Sequence, residues 1–244
     1  MKNKNQLNIQ GARFLVLATL THGLYGIFSR MIGQEFGQIF QVVARSAILL
    51  IFFTVLTLIQ KSWRKIHQGD YPWFFLMIIP GLVALVSMFT AFNHLPLGTV
   101  LFTYYAVSTL GGYFLGFLLF KEQLNRVKIA SLLLSFLGLY LIFSGSFQPG
   151  NLYYLLLSCL AGLGGAAWSV VSKKISGTYP ISQILLVDSL LLVVIGFPIS
   201  LLLKEPVSLP SFSIHWLGIL GYATAAIGSS VFTIKGFKYL QAQI

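Results

Sequence analysis

Two charged residues stand deep inside long apolar stretches of this sequence, Arg45 and Asp188. A charge at the centre of a bilayer costs about 2.5–3.5 kcal/mol on insertion scales, so each needs a function or a bonded neighbour. The functional reading is a substrate-orienting or proton-coupling group, with Asp188 the one intramembrane carboxylate available for proton exchange. The plainer reading bonds each to an adjacent helix or lets it reach towards the interface. The two residues are 143 positions apart, and a pair between them is a distance the sequence does not contain.

A second set of candidates is polar and aromatic. His22 and Tyr25 are separated by three residues and share a helix face. Thr103, Tyr104 and Tyr105 cluster with Ser108 one turn further on, Trp168 stands beside Ser169, and Tyr222 precedes Ser229 and Ser230. Aromatic faces suit apolar or cationic groups, and a few hydroxyls fix orientation, which is the mixture a substrate cavity needs. Packing offers an alternative, with tyrosines in the interfacial belt and hydroxyls bonded locally. His22 and His94 have no second histidine at i+3 or i+4 and no acid at ligand spacing, so they read as hydrogen-bonded histidines rather than metal ligands. Neither a metal nor a cofactor is expected. Glu122, within Lys121-Glu122-Gln123, reads as structural or gating, paired with Arg126 at i+4. No nucleophile elbow, paired intramembrane carboxylates or Gly-rich phosphate loop occurs, so an enzyme embedded in the membrane has no chemistry to use.

The elements that must position these residues follow from composition. The chain has 244 residues, 57% of them hydrophobic and 9% charged. Soluble domains carry about 25% charged residues, and disordered chains lack apolar and aromatic residues on this scale. An all-α polytopic membrane protein remains. The single cysteine, Cys159, excludes a disulfide framework. Apolar runs with polar breaks predict eight helices, at 12–32, 37–60, 72–94, 97–120, 127–145, 151–172, 181–203 and 214–238. Asp70 with Pro72 suits the start of the third, Asn125 can cap the fifth, Gly150-Asn151 opens the sixth, and Pro180 precedes the seventh.

The net charge of +11 is explained by topology rather than by nucleic acid. Lys2, Lys4, Arg13, Lys61, Arg64, Lys65, Lys121, Arg126, Lys128, Lys173, Lys174, Lys235 and Lys238 fall on one predicted side, against Arg30 and Lys204 on the other. That asymmetry makes the basic side, with the amino terminus, cytoplasmic. Residues 1–11 form a polar tail, and the first helix is expected to act as an uncleaved signal anchor in the cell's inner or plasma membrane. Gly112 and Gly116, Gly162 with Gly165 and Ala166, and Gly221 with Ala225 and Ser229 form small-residue faces that permit close helix approach in lipid.

The chain also resembles itself. Ser29-Arg30 matches Ser172-Lys173, Phe36-Gly37-Gln38-Ile39 matches Thr178-Tyr179-Pro180-Ile181, and Ala91-Phe92-Asn93-His94-Leu95 matches Gly236-Phe237-Lys238-Tyr239-Leu240 at nearly constant spacing. A unit of five helices crosses an odd number of times, so its copy is inverted, as in many secondary transporters with a midplane site between halves. The expected organisation is a first repeat over 12–146 and a second, shortened repeat over 147–244. Counterparts of Val100–Gly145 are absent, so a 5+5 plan is expected with eight helices in this chain, which reads either as a fragment of a ten-helix protein, the favoured reading, or as a native chain that has lost two helices.

Three stretches bring a family into view: Phe92-Asn93-His94-Leu95-Pro96, Leu119-Phe120-Lys121-Glu122-Gln123-Leu124 and Leu137-Gly138-Leu139-Tyr140-Leu141-Ile142. They resemble the EamA-type repeat of the drug/metabolite transporter superfamily, which often also has an arginine where Arg45 stands and a glutamate where Glu122 stands. The family's usual proline early in helix 4 is Ser108 or Thr109 here. The resemblance implies a carrier exporting small metabolites, such as amino acids or related amphipathic solutes, by alternating access. Its cavity would be lined by helices 1, 3, 4, 6 and 8, with a proton or counter-solute as candidate coupling partner and a homodimer as candidate assembly. The competing reading is a non-transporting membrane module that binds a ligand or partner helix. A pore is disfavoured, since no ring of like charges or repeated filter sequence occurs.

Overall fold

Inside a bilayer every backbone N–H and C=O must find its partner within the protein, and this sequence meets that demand with helices. The structure is a computed structural model that describes residues 4–33, 35–120, 126–143 and 151–241. In chain order the helices are α1 (Lys4–Ile32), α2 (Gln38–Ile59), α3 (Tyr71–Phe92), α4 (Leu97–Phe120), α5 (Arg126–Phe143), α6 (Leu152–Ser176), α7 (Ile181–Leu202) and α8 (Ile214–Gln241), with a 3₁₀ turn at Gln68–Asp70. Among the described residues, seven helices, α1–α4 and α6–α8, are long and apolar enough to cross a membrane. Pro80 and Pro198 lie within α3 and α7, where the bilayer tolerates them because neighbours satisfy the freed carbonyls. Glu122, Lys121, Asn125 and the Arg126 side chain lie outside the described residues.

Several boundaries differ from the sequence reading. Helix α1 begins at Lys4 rather than 12, because a polar, proline-free segment can extend a helix beyond its apolar part. Helix α6 continues through Lys173 and Lys174 to Ser176, placing both cations on its last turn, where the helix dipole favours them. Helix α4 is continuous through Ser108 and Thr109, and the Thr109 hydroxyl donates to the Tyr105 carbonyl at 2.7 Å.

The chain forms two compact units, one of residues 1–78 and 171–244, the other of residues 79–170. In the first, α1 packs on α8 and α2 on α7, with α8 also meeting α2 and α7. Both main pairs are antiparallel. Phe14 near the start of α1 stacks on Tyr239 near the end of α8 at 5.5 Å, whereas the Ile32 carbonyl at the other end lies 3.0 Å from Nδ1 of His215. Glycine permits the approach: a Cβ at Gly221 would collide with the Phe28 ring, and one at Gly236 would lie 2.8 Å from the Leu15 side chain.

The α2 and α7 helices share a detailed plan. Each has 22 residues, and their N-caps, Gly37 and Pro180, have φ/ψ of −60°/152° and −61°/148°. Each ends on a lysine with positive φ, Lys61 at 46° and Lys204 at 53°. The turn hydrogen bonds also correspond, Lys61 N to Leu58 O at 3.1 Å and Lys204 N to Leu201 O at 3.0 Å. The structural register therefore pairs Phe36 with Tyr179, one residue away from the Thr178 that the sequence comparison suggested.

In the second unit α6 is the hub. A Cβ on Gly164 would lie 2.5 Å from the Pro80 carbonyl oxygen of α3, and one on Gly162 would lie 2.7 Å from the Tyr104 carbonyl oxygen of α4. Gly111, rather than Gly112, faces α6: its Cβ position is 3.0 Å from Ala166, while Gly112 has nothing within 4 Å. The face of α4 is thus rotated by one residue from the stripe read in the sequence.

Candidate functional site

Four helices of the first unit bring seven of the predicted residues together. On α1, Tyr25 follows His22 by three residues, and their rings meet edge to face at 4.4 Å. The Tyr25 ring meets Tyr222 of α8 at 4.8 Å in the same manner. Tyr25 is hydrogen-bonded through its hydroxyl to Ser229 and Ser230, about two turns beyond Tyr222 along α8. From α2, the Arg45 guanidinium lies over the Tyr222 ring, 5.1 Å from its centroid. Asp188 of α7 is close enough to act electrostatically on both Arg45 and Tyr25. Arg45 is 4% exposed, Asp188 5% and Tyr222 fully buried.

The local sequence explains why these side chains converge. Gln38, Gln41 and Arg45 recur at helical spacing on α2, and Tyr222 and Ser229 are seven residues apart on α8, so each set lies on one face. That face is polar within otherwise apolar helices. The helices that carry the cluster also bury unmet hydrogen-bonding capacity. Nε and Nη1 of Arg45, Oε1 of Gln41 and the hydroxyls of Ser29 and Ser46 are buried without a hydrogen-bond partner among the described residues. Ser29, Gln41 and Ser46 were not singled out as site residues; the four-residue spacing of Gln41 from Arg45 was the available signal.

The remaining predicted residues lie in the second unit. Thr103 is buried and donates its hydroxyl to the Thr99 carbonyl at 2.7 Å. Tyr104 lies against Gly165, where a Cβ would collide with its hydroxyl, and meets Tyr105 edge to face at 5.2 Å. The backbone of Ser108 lies 3.1 Å from the Cβ position of Gly162, and the Trp168 ring 3.2 Å from that of Gly81. Outside both sets, His94 donates from Nδ1 to the Thr90 carbonyl at 2.9 Å and stacks on Tyr154 at 3.9 Å.

Both ends of the α2–α7 pair are fastened by polar residues the sequence reading passed over. Glu205, just beyond α7, accepts from the backbone N–H of Ile39 at 3.0 Å and of Phe40 at 2.8 Å, and Ser200 donates its hydroxyl to it at 3.0 Å. A carboxylate here complements the orphan donors and the positive end of α2. Gly37 allows the approach, since a Cβ would occupy the space of the Glu205 side chain. At the opposite end Gln183 donates to the Arg64 carbonyl at 2.7 Å and accepts from the Arg64 N–H at 3.0 Å. Asp70, which stands directly before α3 as expected, also accepts the Tyr179 hydroxyl at 2.6 Å, and that hydroxyl accepts from the His67 N–H at 3.0 Å. Burial, and then donation to Asp70, push the Tyr179 hydroxyl above its ordinary pKa.

A groove on the surface of α2, lined by Ile48, Ile51, Phe52, Val55, Leu56 and Ile59, has no polar group to orient a solute. The polar cluster of α1, α2, α7 and α8 is the candidate site.

Comparison with known proteins agrees with this architecture. A crystal structure with a TM-score of 0.67 aligns with 96% of this chain and 79% of its own at 15% identity, a likeness of fold. Comparison with curated proteins gives no match. The model of the EamA-like transporter family matches residues 9–144, more than half of the chain. Together with its seven membrane-length helices, that match shows that the chain belongs to the EamA-like transporter family, a family of membrane transporters.

Proposed function

We propose that this chain is a secondary carrier of the inner or plasma membrane, with its amino terminus cytoplasmic, that exports small metabolites by alternating access. The observation that carries this reading is the buried cluster of Arg45, Asp188, Tyr25 and Tyr222 within membrane-length helices. Charges and hydroxyls at membrane depth mark substrate and ion pathways, because lipid gives them no other stabilisation. Asp188 is the candidate coupling carboxylate for a proton, with counter-solute exchange as the other driving mode. Tyr104, Tyr105, Thr103, Ser108 and Trp168 are proposed as further substrate contacts. The matched caps and turns of α2 and α7 support an inverted repeat, a first half over 12–146 and a second over 147–244. Amino acids and related amphipathic solutes are the proposed cargo.

The test is counterflow in proteoliposomes. Vesicles preloaded with an unlabelled amino-acid mixture should take up labelled solute faster than empty ones, and Asp188→Asn should abolish the stimulation. Binding without any flux would instead identify a non-transporting module.

A further inference from the structure

The guanidinium of Arg45 is 4% exposed, yet Nε and Nη1 have no acceptor among the described residues. Buried arginines ordinarily share their five N–H groups among carbonyls, carboxylates and water, because an unmet charged donor in a low dielectric is expensive. The Tyr222 ring lies beside this guanidinium, 5.1 Å from it, and the Tyr222 hydroxyl also acts on it, yet Nε and Nη1 still lack an acceptor among the described residues. What complements those donors is a planar anion, and a carboxylate fits a guanidinium better than any other common biological group of its size.

We propose that Arg45 receives the carboxylate of the transported solute, and that the solute also carries a cationic group on an apolar body. The proposal rests on the carrier reading and specifies its substrate. Charge balance decides the second half of it. Arg45 and an ionised Asp188 cancel, so a simple monocarboxylate entering the cluster leaves one uncompensated negative charge, whereas a zwitterion leaves none. The T-shaped Tyr25–Tyr222 pair offers ring edges and faces to an apolar side chain, and the Ser229 and Ser230 hydroxyls stand beside Tyr25. An amine without a carboxylate gains nothing from Arg45 and meets its repulsion.

The experiment compares L-leucine, 4-methylpentanoate and 3-methylbutylamine, which share an apolar body and differ in charge. Each is titrated into the purified full chain in detergent, with the unfolding midpoint as readout. L-leucine should raise the midpoint in a saturable manner, and the two single-charge analogues should bind at least about tenfold more weakly. Arg45→Lys keeps the charge but loses the planar fork, and should weaken L-leucine at least about tenfold while leaving the ligand-free midpoint near that of the wild type. Arg45→Gln should abolish the response, and Arg45→Lys carries the test if the glutamine variant does not fold. Equal binding of 3-methylbutylamine, tighter binding of 4-methylpentanoate, unchanged affinity in Arg45→Lys, or no response to L-leucine would each overturn the proposal. Failure of the carrier reading looks different: L-leucine then binds in an Arg45-dependent manner but shows no counterflow.

Discussion

The two compact units handle their polar residues in opposite ways. In the unit of residues 1–78 and 171–244, charges, tyrosines and hydroxyls from four helices converge, and several buried polar atoms have no hydrogen-bond partner among the described residues. In the unit of residues 79–170, Thr103 bonds within its own helix, while Tyr104 and Trp168 lie over glycines of neighbouring helices. The first arrangement stores hydrogen-bonding capacity that a solute can use; the second converts side chains into shape complementarity. Composition alone does not separate the two, because an interfacial tyrosine and a packing tyrosine are the same letter.

The largest expected effect tests the packing side of this contrast. Gly164→Val places a branched side chain against the Pro80 carbonyl, and backbone on both sides leaves little room to yield. Overpacking costs about 1–3 kcal/mol or more. The variant should lose most of its yield of monodisperse protein, measured by size exclusion in detergent. Gly112→Ala is the control, since nothing lies within 4 Å of it and alanine favours the helix by about 1 kcal/mol. Equal behaviour of the two variants would break the claim that close backbone approach holds this unit.

The next effect tests the polar side. Asp188→Asn and Tyr222→Leu should each reduce counterflow by at least about tenfold, the equivalent of about 1.4 kcal/mol, with ligand-free unfolding midpoints close to wild type. Thr103→Val, which removes a hydroxyl already bonded within α4, should change flux by less than about threefold by the same conversion. A reversal of that order would make the residues of the second unit the principal solute contacts.

A smaller effect concerns the fastening of α2 to α7. Glu205→Ala leaves the Ile39 and Phe40 N–H groups without their acceptor, and loss of such a cap costs about 1–2 kcal/mol. The unfolding midpoint should fall by a few degrees, and Glu205→Gln should recover part of the loss by keeping an acceptor without the charge. Gly112→Ala measured alongside separates a local cap from general sensitivity.

Much of the fold was legible because the bilayer limits what an apolar sequence can do. Runs of about 20 apolar residues become helices, and the predicted span at 97–120 coincides with α4. The polar start of α1 was not legible, since hydropathy marks where a chain can enter lipid and not where a helix begins. Within the candidate site, Arg45 and Asp188 stood out because charge is rare at membrane depth. Glu205 did not, because a carboxylate in a polar loop is ordinary until the structure places it 2.8 Å from the Phe40 N–H. Ser29 and Ser46 were equally silent: a serine in a membrane helix commonly bonds its own backbone, and only three-dimensional placement reveals one that does not.

The smallest effect sharpens the comparison by pH. The Tyr179 hydroxyl donates to Asp70 at 2.6 Å, and burial followed by that bond raises its pKa above the ordinary value near 10. A raised pKa in the folded state means that folding favours the protonated hydroxyl. Its contribution is therefore fully present below the unfolded pKa and disappears as pH rises through the folded one. Tyr179→Phe removes the donor to a half-buried carboxylate and should destabilise the protein at neutral pH by about 0.5–1.5 kcal/mol, the net range for a single hydrogen bond. Between pH 10 and the folded value the gap between wild type and variant should close, as followed by the unfolding midpoint across about pH 8–11 in steps. The Thr103→Val difference, belonging to a hydroxyl that does not titrate there, should stay flat over the same range. A Tyr179→Phe gap that also stays flat would show that the ring's packing on Phe74, 5.4 Å away, and not its proton, holds this end of the first unit.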